Sequence, residues 1–378
     1  MKKHWEVKKL GEVLKLEYGK PLPDFKRKSD GAYPVYGANG EKDRTDEYYH
    51  DKQSIIVGRK GSAGEINFTE DRFWPLDVTY FVTFDEKKYD LKFLHNTLLT
   101  LELPKLAKGV KPGINRNEVY AIEVRIPPLS EQQRIVAILD EAFAAIATAK
   151  ENAAKNLQNA RSLFESHLES VFTQRGEGWV EKPLGEVCER ITKGSSPKWQ
   201  GIAYVDKPGV LFVTSENVGE YQILLEQPKY VEEKFNAKDK KSILKRGDVL
   251  TNIVGASIGR TAVFELDDVA NINQAVCLIR CEPALLNNFF LTYLLNSPVF
   301  KQVLHDNEVN NARANLSLSF FSQLLVPMPQ LSKQQEIVAK LDALREETQR
   351  LEVIYWQKLN DLDELKKSVL KKAFDGEL

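Results

Sequence analysis

The chain repeats itself, so any fold that houses it must house two copies of one plan. One copy reads IPPLSEQQRIVAILDE from Ile126, and the other reads VPMPQLSKQQEIVAKLDA from Val326. Leu129 and Leu331 stand 202 residues apart, and the same spacing links Gln132 to Gln334, Leu139 to Leu341, Leu163 to Leu365 and Phe172 to Phe374. A second set of landmarks, Trp5, Leu10, Gly11, Glu12 and Val13, returns as Trp179, Leu184, Gly185, Glu186 and Val187 at an offset of 174. The two offsets differ by 28, which is the extra length of the second variable interior. Common frames around divergent interiors predict two similar platforms presenting different surfaces.

With 378 residues, 42% hydrophobic and 28% charged, the chain can build two domains with proper cores. No apolar run approaches the roughly 18 residues that cross a bilayer, and the MKKHWEVKK start lacks the apolar centre of a signal peptide, so a cytoplasmic protein without a membrane partner is expected. Three cysteines, Cys188, Cys277 and Cys281, form neither a disulfide framework nor a zinc motif, and the five histidines are dispersed. No metal site is expected. A net charge of -1 leaves the distribution of charge to decide between partners. KLAKGVKPGINRNEV is locally basic, carrying Lys105, Lys108, Lys111 and Arg116 against Glu118; a solvated loop is the plain alternative.

Each interior reads as mixed α and β. In the first domain, 1–128, SIIVG, DVTYFVTF and YAIEVRIPP are strand-like, and LKFLHNTLLTLELPKLA has helical spacing. The second, 179–330, supplies GVLFVTS, DVLTNIVG, RTAVFEL and NQAVCLIRC, then a helix-like NNFFLTYLLNSPVFKQVL and a closing FFSQLLVPMP. Segments 129–178 and 331–378 read as long helices without internal proline, Ser130 and Ser332 suggesting N-caps and Gly176 and Gly376 the stops. About 43 helical residues would give rods of roughly 65 Å.

Steps of 4 and 3 trace a seam through Ile135, Leu139, Ala142, Ile146, Ala149, Ala153, Asn156, Ala160, Leu163 and His167. Its counterpart runs through Ile337, Leu341, Leu344, Thr348, Leu351, Tyr355, Lys358, Leu362, Leu365 and Val369. Small residues on one seam face larger ones on the other, which predicts an antiparallel coiled-coil pair; helices lying separately on their own domains are the alternative. The fold class expected is therefore mixed α/β domains joined by two long antiparallel coiled-coil helices, with internal pseudo-twofold duplication. Two heads held on such rods suit double-stranded DNA, whose equivalent faces recur about every 34–36 Å.

Nothing in the chain assembles a catalyst. GRKGSAG from Gly58 and GASIGRT from Gly255 match neither a phosphate loop nor a dinucleotide fingerprint, and read as tight strand connections through which a backbone can approach phosphate. Base reading calls for amides, guanidiniums and hydroxyls at loop tips. The candidates are Tyr36, Asn39, Arg59, Lys60, Lys111, Asn115 and Arg116 in the first domain. In the second they are Ser195, Lys198, Trp199, Ser215, Asn217, Asn252, Arg260, Asn273, Gln274, Arg313 and Asn315. For each, ordinary solvation or local packing is the competing reading.

The two LS(E/K)QQ(R/E)IVA(I/K)LD segments, the Trp-x4-Leu-Gly-Glu-Val starts, Gly255 to Arg260, NINQA and the terminal KAFDGEL together resemble the specificity subunit of type I restriction-modification systems. The resemblance covers essentially the whole length. It implies two target recognition domains, each reading one half of a split DNA sequence, with conserved helices that space them and dock two methyltransferase subunits. It also implies a non-catalytic subunit without its own cofactor, S-adenosylmethionine, ATP and Mg2+ belonging to partners that include a motor and nuclease subunit where the full system exists. The first domain departs from the family pattern at Gly58 to Gly64 and at FWPLD, which leaves its contacts open. An isolated chain could dimerise through its helices. Remaining alternatives are a protein-interaction scaffold without DNA and a methylation-only or other phage-defence relative.

Overall fold

The computed structural model describes residues 5–310 and 314–378. The chain divides into two compact units, one made of the described residues up to Ala154 with Gln357–Leu378, the other of the described residues of Lys155–Trp356.

In the first unit, β1 (Glu6–Lys9) pairs antiparallel with β9 (Glu123–Ile126), joining the two ends of the first head. A four-stranded antiparallel sheet follows the order β2 (Leu14–Tyr18), β8 (Thr79–Phe84), β5 (Ser54–Gly58), β6 (Ile66–Thr69). A smaller sheet places β3 (Tyr33–Gly37) between its antiparallel partner β4 (Gly40–Thr45) and the parallel β7 (Trp74–Pro75). Short helices α1 (Leu10–Val13) and α3 (Arg116–Tyr120) and the longer α2 (Leu91–Thr100) complete the head. SIIVG is buried throughout, as a central strand covered on both faces requires.

The second head repeats the plan. β10 (Val180–Pro183) pairs with β21 (Leu325–Met328), and the main sheet has the order β11 (Cys188–Lys193), β18 (Val276–Cys281), β15 (Val249–Asn252), β16 (Thr261–Val263). Its smaller sheet again contains one parallel pair, β13 (Val210–Val213) with β17 (Ala270–Ile272), and extends through β14 (Tyr230–Val231) to an added strand, β12 (Tyr204–Val205). Part of the extra sequence thus lengthens a sheet edge. The helices are α5 (Lys234–Lys238), α6 (Asn288–Asn296), α7 (Pro298–Asp306) and α8 (Leu318–Gln323), with a short pair β19 (Val309–Asn310) and β20 (Ala314–Asn315). NNFFLTYLLNSPVFKQVL is therefore two helices: Pro298 opens α7 and Ser297 caps it, accepting from Phe300 N–H.

Two 45-residue helices, α4 (Leu129–Thr173) and α9 (Leu331–Asp375), are each about 68 Å long. Within the first unit they run antiparallel, Lys150 meeting Asp363 at 2.7 Å; within the second, Arg161 meets Glu352 at 3.0 Å. Ser130 and Ser332 sit inside the first turn rather than capping it, because Pro128 and Gln330 already supply the carbonyls that accept the first helical N–H groups. Gly376, with φ 77°, ends α9 in the left-handed conformation.

The predicted seam needs correction in its second half. Ile135, Leu139, Ile146, Ala153 and Ala160 are buried, but Asn156 and His167 are exposed and Leu163 is 54% exposed; burial passes instead through their neighbours Leu157 and Leu168. On α9, Ile337, Leu341 and Thr348 are buried and Leu351, Tyr355, Leu362 and Val369 half-buried, whereas Lys358 is exposed and Leu365 48% exposed. Strict 4-and-3 stepping drifts about 20° per heptad on a straight helix, so after three heptads the buried line moves toward the next residue.

What the LSxQQ repeat does is plain in both units. Gln132 is fully buried; its Nε2 donates to the carbonyls of Lys88 (3.1 Å) and Pro127 (2.9 Å), and its Oε1 accepts from Asp90 N–H (2.9 Å). Gln334, also fully buried, donates to Leu285 (3.0 Å) and Pro329 (2.9 Å) and accepts from Asn287 N–H (2.8 Å). Asp90 and Asn287 are the N-caps of α2 and α6. One amide thus locks the base of each long helix to the head helix beside it.

Candidate nucleic-acid interface

In the first head, two turns meet beyond the end of the main sheet. Gly61 N–H donates to Pro112 O (2.8 Å) and Ile114 N–H to Arg59 O (3.1 Å). Gly61 and Gly109 adopt φ of 83° and 93°, which lets both turns stay tight. This pairing brings Arg59, Lys60, Lys111, Asn115 and Arg116 together. Arg59 donates through Nε and Nη2 to Asp77 O (3.0 and 2.6 Å), and Arg116 donates through Nη1 to Leu16 O (3.3 Å). Both guanidiniums lie over Tyr18, at 5.4 and 5.0 Å from the ring centre. Arg116 Nε is buried without a partner among the described residues.

Charge in these turns is only partly offset. Lys105 pairs with Glu102 and Lys108 with Glu118, so two lysines of the basic run are spoken for. Lys60, Lys111, Arg59 and Arg116 have no carboxylate partner among the described residues. Two guanidiniums over an aromatic ring, with two lysines on the adjoining turns, attract phosphate and can stack against a base or sugar. Tyr18, 48% exposed, was not among the sequence candidates; its only signal is an aromatic at the end of an alternating LKLEY strand. Beneath it the Tyr80 hydroxyl is pushed up to about 12, first by burial and then by its hydrogen bond with Tyr18, against the pull of both arginines.

The other first-head candidates divide. Asn39 is exposed on the two-residue turn between β3 and β4, a turn that packs against Gly58: a Cβ there would stand 2.6 Å from Ala38 O. Tyr36 is half-buried and packs edge-on to Phe73 at 5.9 Å, which makes it a support. Asn115 is exposed but caps α3, its side chain accepting from Asn117 N–H at 2.9 Å.

In the second head, backbone bonds gather the ends of β13, β15, β17 and β11. Asn273 N–H donates to Val213 O (3.1 Å), Ile253 N–H to Ala275 O (2.9 Å), Gly259 N–H to Asn252 O (3.0 Å) and Leu316 N–H to Ile253 O (2.9 Å). Gly194 sits so close to Ile272 and Asn273 that no Cβ would fit. Ser215, Arg260, Asn273, Gln274 and Asn315 therefore share one end of the sheet with the turn that carries Ser195, Lys198 and Trp199. Arg260, Gln274, Lys198 and Trp199 are exposed, and Ser215, Asn273 and Asn315 half-buried. Arg313 lies outside the described residues.

Burial removes two candidates from any direct contact. Asn252 is fully buried, its amide donating to Ser215 O (2.9 Å) and Val218 O (3.3 Å). Asn217 is 6% exposed, accepting from Thr214 N–H and hydroxyl (both 3.0 Å) and donating to Leu224 O (2.9 Å). Ser195 is committed inward as well, its hydroxyl donating to the Asp239 carboxylate at 2.5 Å. Asn273 Oδ1 accepts from Ala275 N–H (3.0 Å), a turn pin. These residues shape the loops.

The loop that bears Ser215 is braced against the long helices of its own unit. Tyr221, at a φ of 66°, packs 5.9 Å from Phe164 and 5.2 Å from Tyr293, and lies under the Arg345 guanidinium at 4.6 Å. Tyr293 in turn donates to Asp342 at 2.5 Å, and burial pushes its hydroxyl far above the ordinary phenol range.

No group of three or more potential metal ligands occurs among the described residues, nor any helix long and apolar enough to cross a membrane.

A family model described as the type I restriction modification DNA specificity domain matches residues 2–156 and 176–355. The chain is 23% identical over 403 residues to the type I restriction enzyme EcoBI specificity subunit of Escherichia coli, across 94% of this chain and 82% of that one. It is 25% identical over 359 residues to a putative type I restriction enzyme specificity subunit of Haemophilus influenzae, across 89% and 86%. The HsdS subunit of Thermoanaerobacter tengcongensis superposes with a TM-score of 0.63 at 20% identity, over 99% of this chain and 97% of that one. A chain from a study of assembly and conformational transition of the type I R-M system gives 0.74 at 21%, over 99% and 98%. At these identities the two structures speak to the fold.

Proposed function

The chain belongs to the type I restriction-modification DNA specificity family, and from that premise we propose that it selects the DNA site on which such a system acts. Each head reads one half of a bipartite duplex target. The long helices set the unread gap and dock two methyltransferase subunits, for which Val353, Trp356 and Leu365 offer exposed apolar contacts on α9. The chain itself is non-catalytic and works in the cytoplasm. Methyl transfer from S-adenosylmethionine, and ATP- and Mg2+-dependent translocation and cleavage where a nuclease subunit exists, fall to its partners.

One observation carries the reading: each head gathers divergent polar loops at one end of a sheet whose strand order is the same in both. A shared scaffold with different tips is what two half-sites of different sequence require. In the first head, Lys60 and Lys111 meet phosphates while Arg59 and Arg116, held by backbone carbonyls, face bases or sugars. In the second, Arg260, Gln274 and Lys198 are exposed groups with donors suited to major-groove edges.

Methylation mapping of cells carrying this gene with a competent methyltransferase tests the proposal. The expected result is one motif of two short segments separated by a fixed, unread gap. Methylation without any bipartite motif would refute it.

A further inference from the structure

Among the described residues, the three most exposed large apolar side chains are Val110, Trp199 at 85% and Phe25 at 81%. Two of these occupy equivalent places. Phe25 and Trp199 are 174 residues apart, the offset that relates the starts of the two heads, and Pro23 and Pro197 are related in the same way. Each aromatic is the middle residue of a three-residue 3-10 turn, Asp24–Lys26 or Lys198–Gln200, entered from that proline. The turns are closed by matching bonds: Lys26 N–H to Pro23 O and Gln200 N–H to Pro197 O, both at 3.0 Å.

Both turns are stiffened from beneath. Arg27 donates through Nε and Nη2 to Leu22 O at 3.2 and 3.0 Å. In the other head Lys238 Nζ donates to Gln200 O at 2.8 Å, and Gln200 also bonds Ser195, itself fixed on Asp239. An exposed large ring forgoes the stabilisation that an interior ring gains, so duplicating one on a braced turn points to a partner that covers it.

The surroundings favour DNA. Residues 20–28 carry Lys20, Lys26, Arg27 and Lys28 against Asp24, and residues 193–201 carry Lys193 and Lys198 with no acid. Lys26 and Lys28 pair with Glu47 and Asp46, exposed contacts of the kind that yield readily to phosphate. Each turn follows the strand, β2 or β11, whose C-terminal end meets the polar loops described above. Aromatic wedging is also indifferent to base sequence. A feature common to both heads suits what their half-sites share, while the divergent loops suit what differs.

We propose that Phe25 and Trp199 are matched aromatic wedges, one in each head, that press against the base pairs of the half-site and bend the duplex there. This deepens the half-site reading and rests on it. The test uses the full chain with its methyltransferase partner and an end-labelled duplex of about 50 base pairs carrying the motif found by methylation mapping. Phe25→Ala and Trp199→Ala should each bind about tenfold more weakly and lower the bend-dependent energy transfer, with the salt slope of binding unchanged because no phosphate contact is lost. Phe25→Trp and Trp199→Phe should restore most of both. Alanine variants that bind and bend as the parent does would overturn the wedges. So would alanine variants that bend DNA normally but no longer retain the methyltransferase, since the aromatics would then be protein contacts. A parent complex that binds no duplex would overturn the half-site reading itself.

Discussion

Replacing Gln132 by methionine keeps the length and approximate volume of the side chain and deletes its three hydrogen bonds. Each is worth about 1 kcal/mol net, and three are lost, so the local cost is about 3 kcal/mol. That should fall on the contact between α2 and the start of α4. Amide hydrogen exchange resolves this without treating a two-unit chain as two-state. Amides of Leu91–Thr100 should exchange about a hundredfold faster, a factor that corresponds to about 3 kcal/mol, while those of Asn288–Asn296 are unchanged. Gln334→Met should do the reverse. Gln133→Met and Gln335→Met, at exposed neighbours, should alter neither helix by more than about twofold. Equal effects at both glutamines of one pair, or acceleration below about fivefold at Gln132, would refute the idea that a single buried amide keys each helix to its head.

Three other outcomes are expected. Asp248 is buried and accepts from Arg280 Nε and Nη2 at 2.7 Å, so Asp248→Ala should destabilise the second head by about 3–5 kcal/mol in urea unfolding. Lys60→Ala should weaken binding to all duplexes alike and reduce the salt slope by about 1, whereas a base-specific loss would move Lys60 from phosphate to base contact. Tyr80, whose hydroxyl is raised from 10.0 to about 12, contributes stability that is complete below pH 10 and lost as pH rises through about 12. Tyr80→Phe should remove that part of the alkaline decline and one late phenolate transition in absorbance.

The duplication, the central strands and the long helices were legible because they rest on spacing and apolar pattern. Individual contact residues were harder. Asn217 and Asn252 have the chemistry to read bases, but the same amides can pin turns, and residue type does not distinguish the two uses. Glycine-rich stretches were aligned as Gly58 to Gly64 with Gly255 to Arg260, yet hydrogen bonding matches Gly58 to Asn252 and Gly64 to Gly259. Arg260 then corresponds to Glu65, and the cations of the two heads come from different positions. Tyr18 became significant only when loops far apart in sequence placed Arg59 and Arg116 over it. Phe25 was visible at the offset of 174, but an aromatic beside Asp24 and Lys26 carries no mark of exposure.

The way each core is closed has a consequence for how the chain is made. Ala373, fully buried, and Phe374, packed 5.1 Å from Phe93, complete the hydrophobic core of the first head. At about 5–20 residues per second the ribosome takes roughly a quarter of a minute to a minute between Phe93 and Phe374. Lys155–Trp356, by contrast, is one uninterrupted stretch of sequence. The second unit is thus complete without the chain's last turns, while the amino-terminal head keeps an open apolar face until they arrive. Released chains truncated a few residues before Ala373 should present a protease-resistant second unit beside a first head that chaperones still hold.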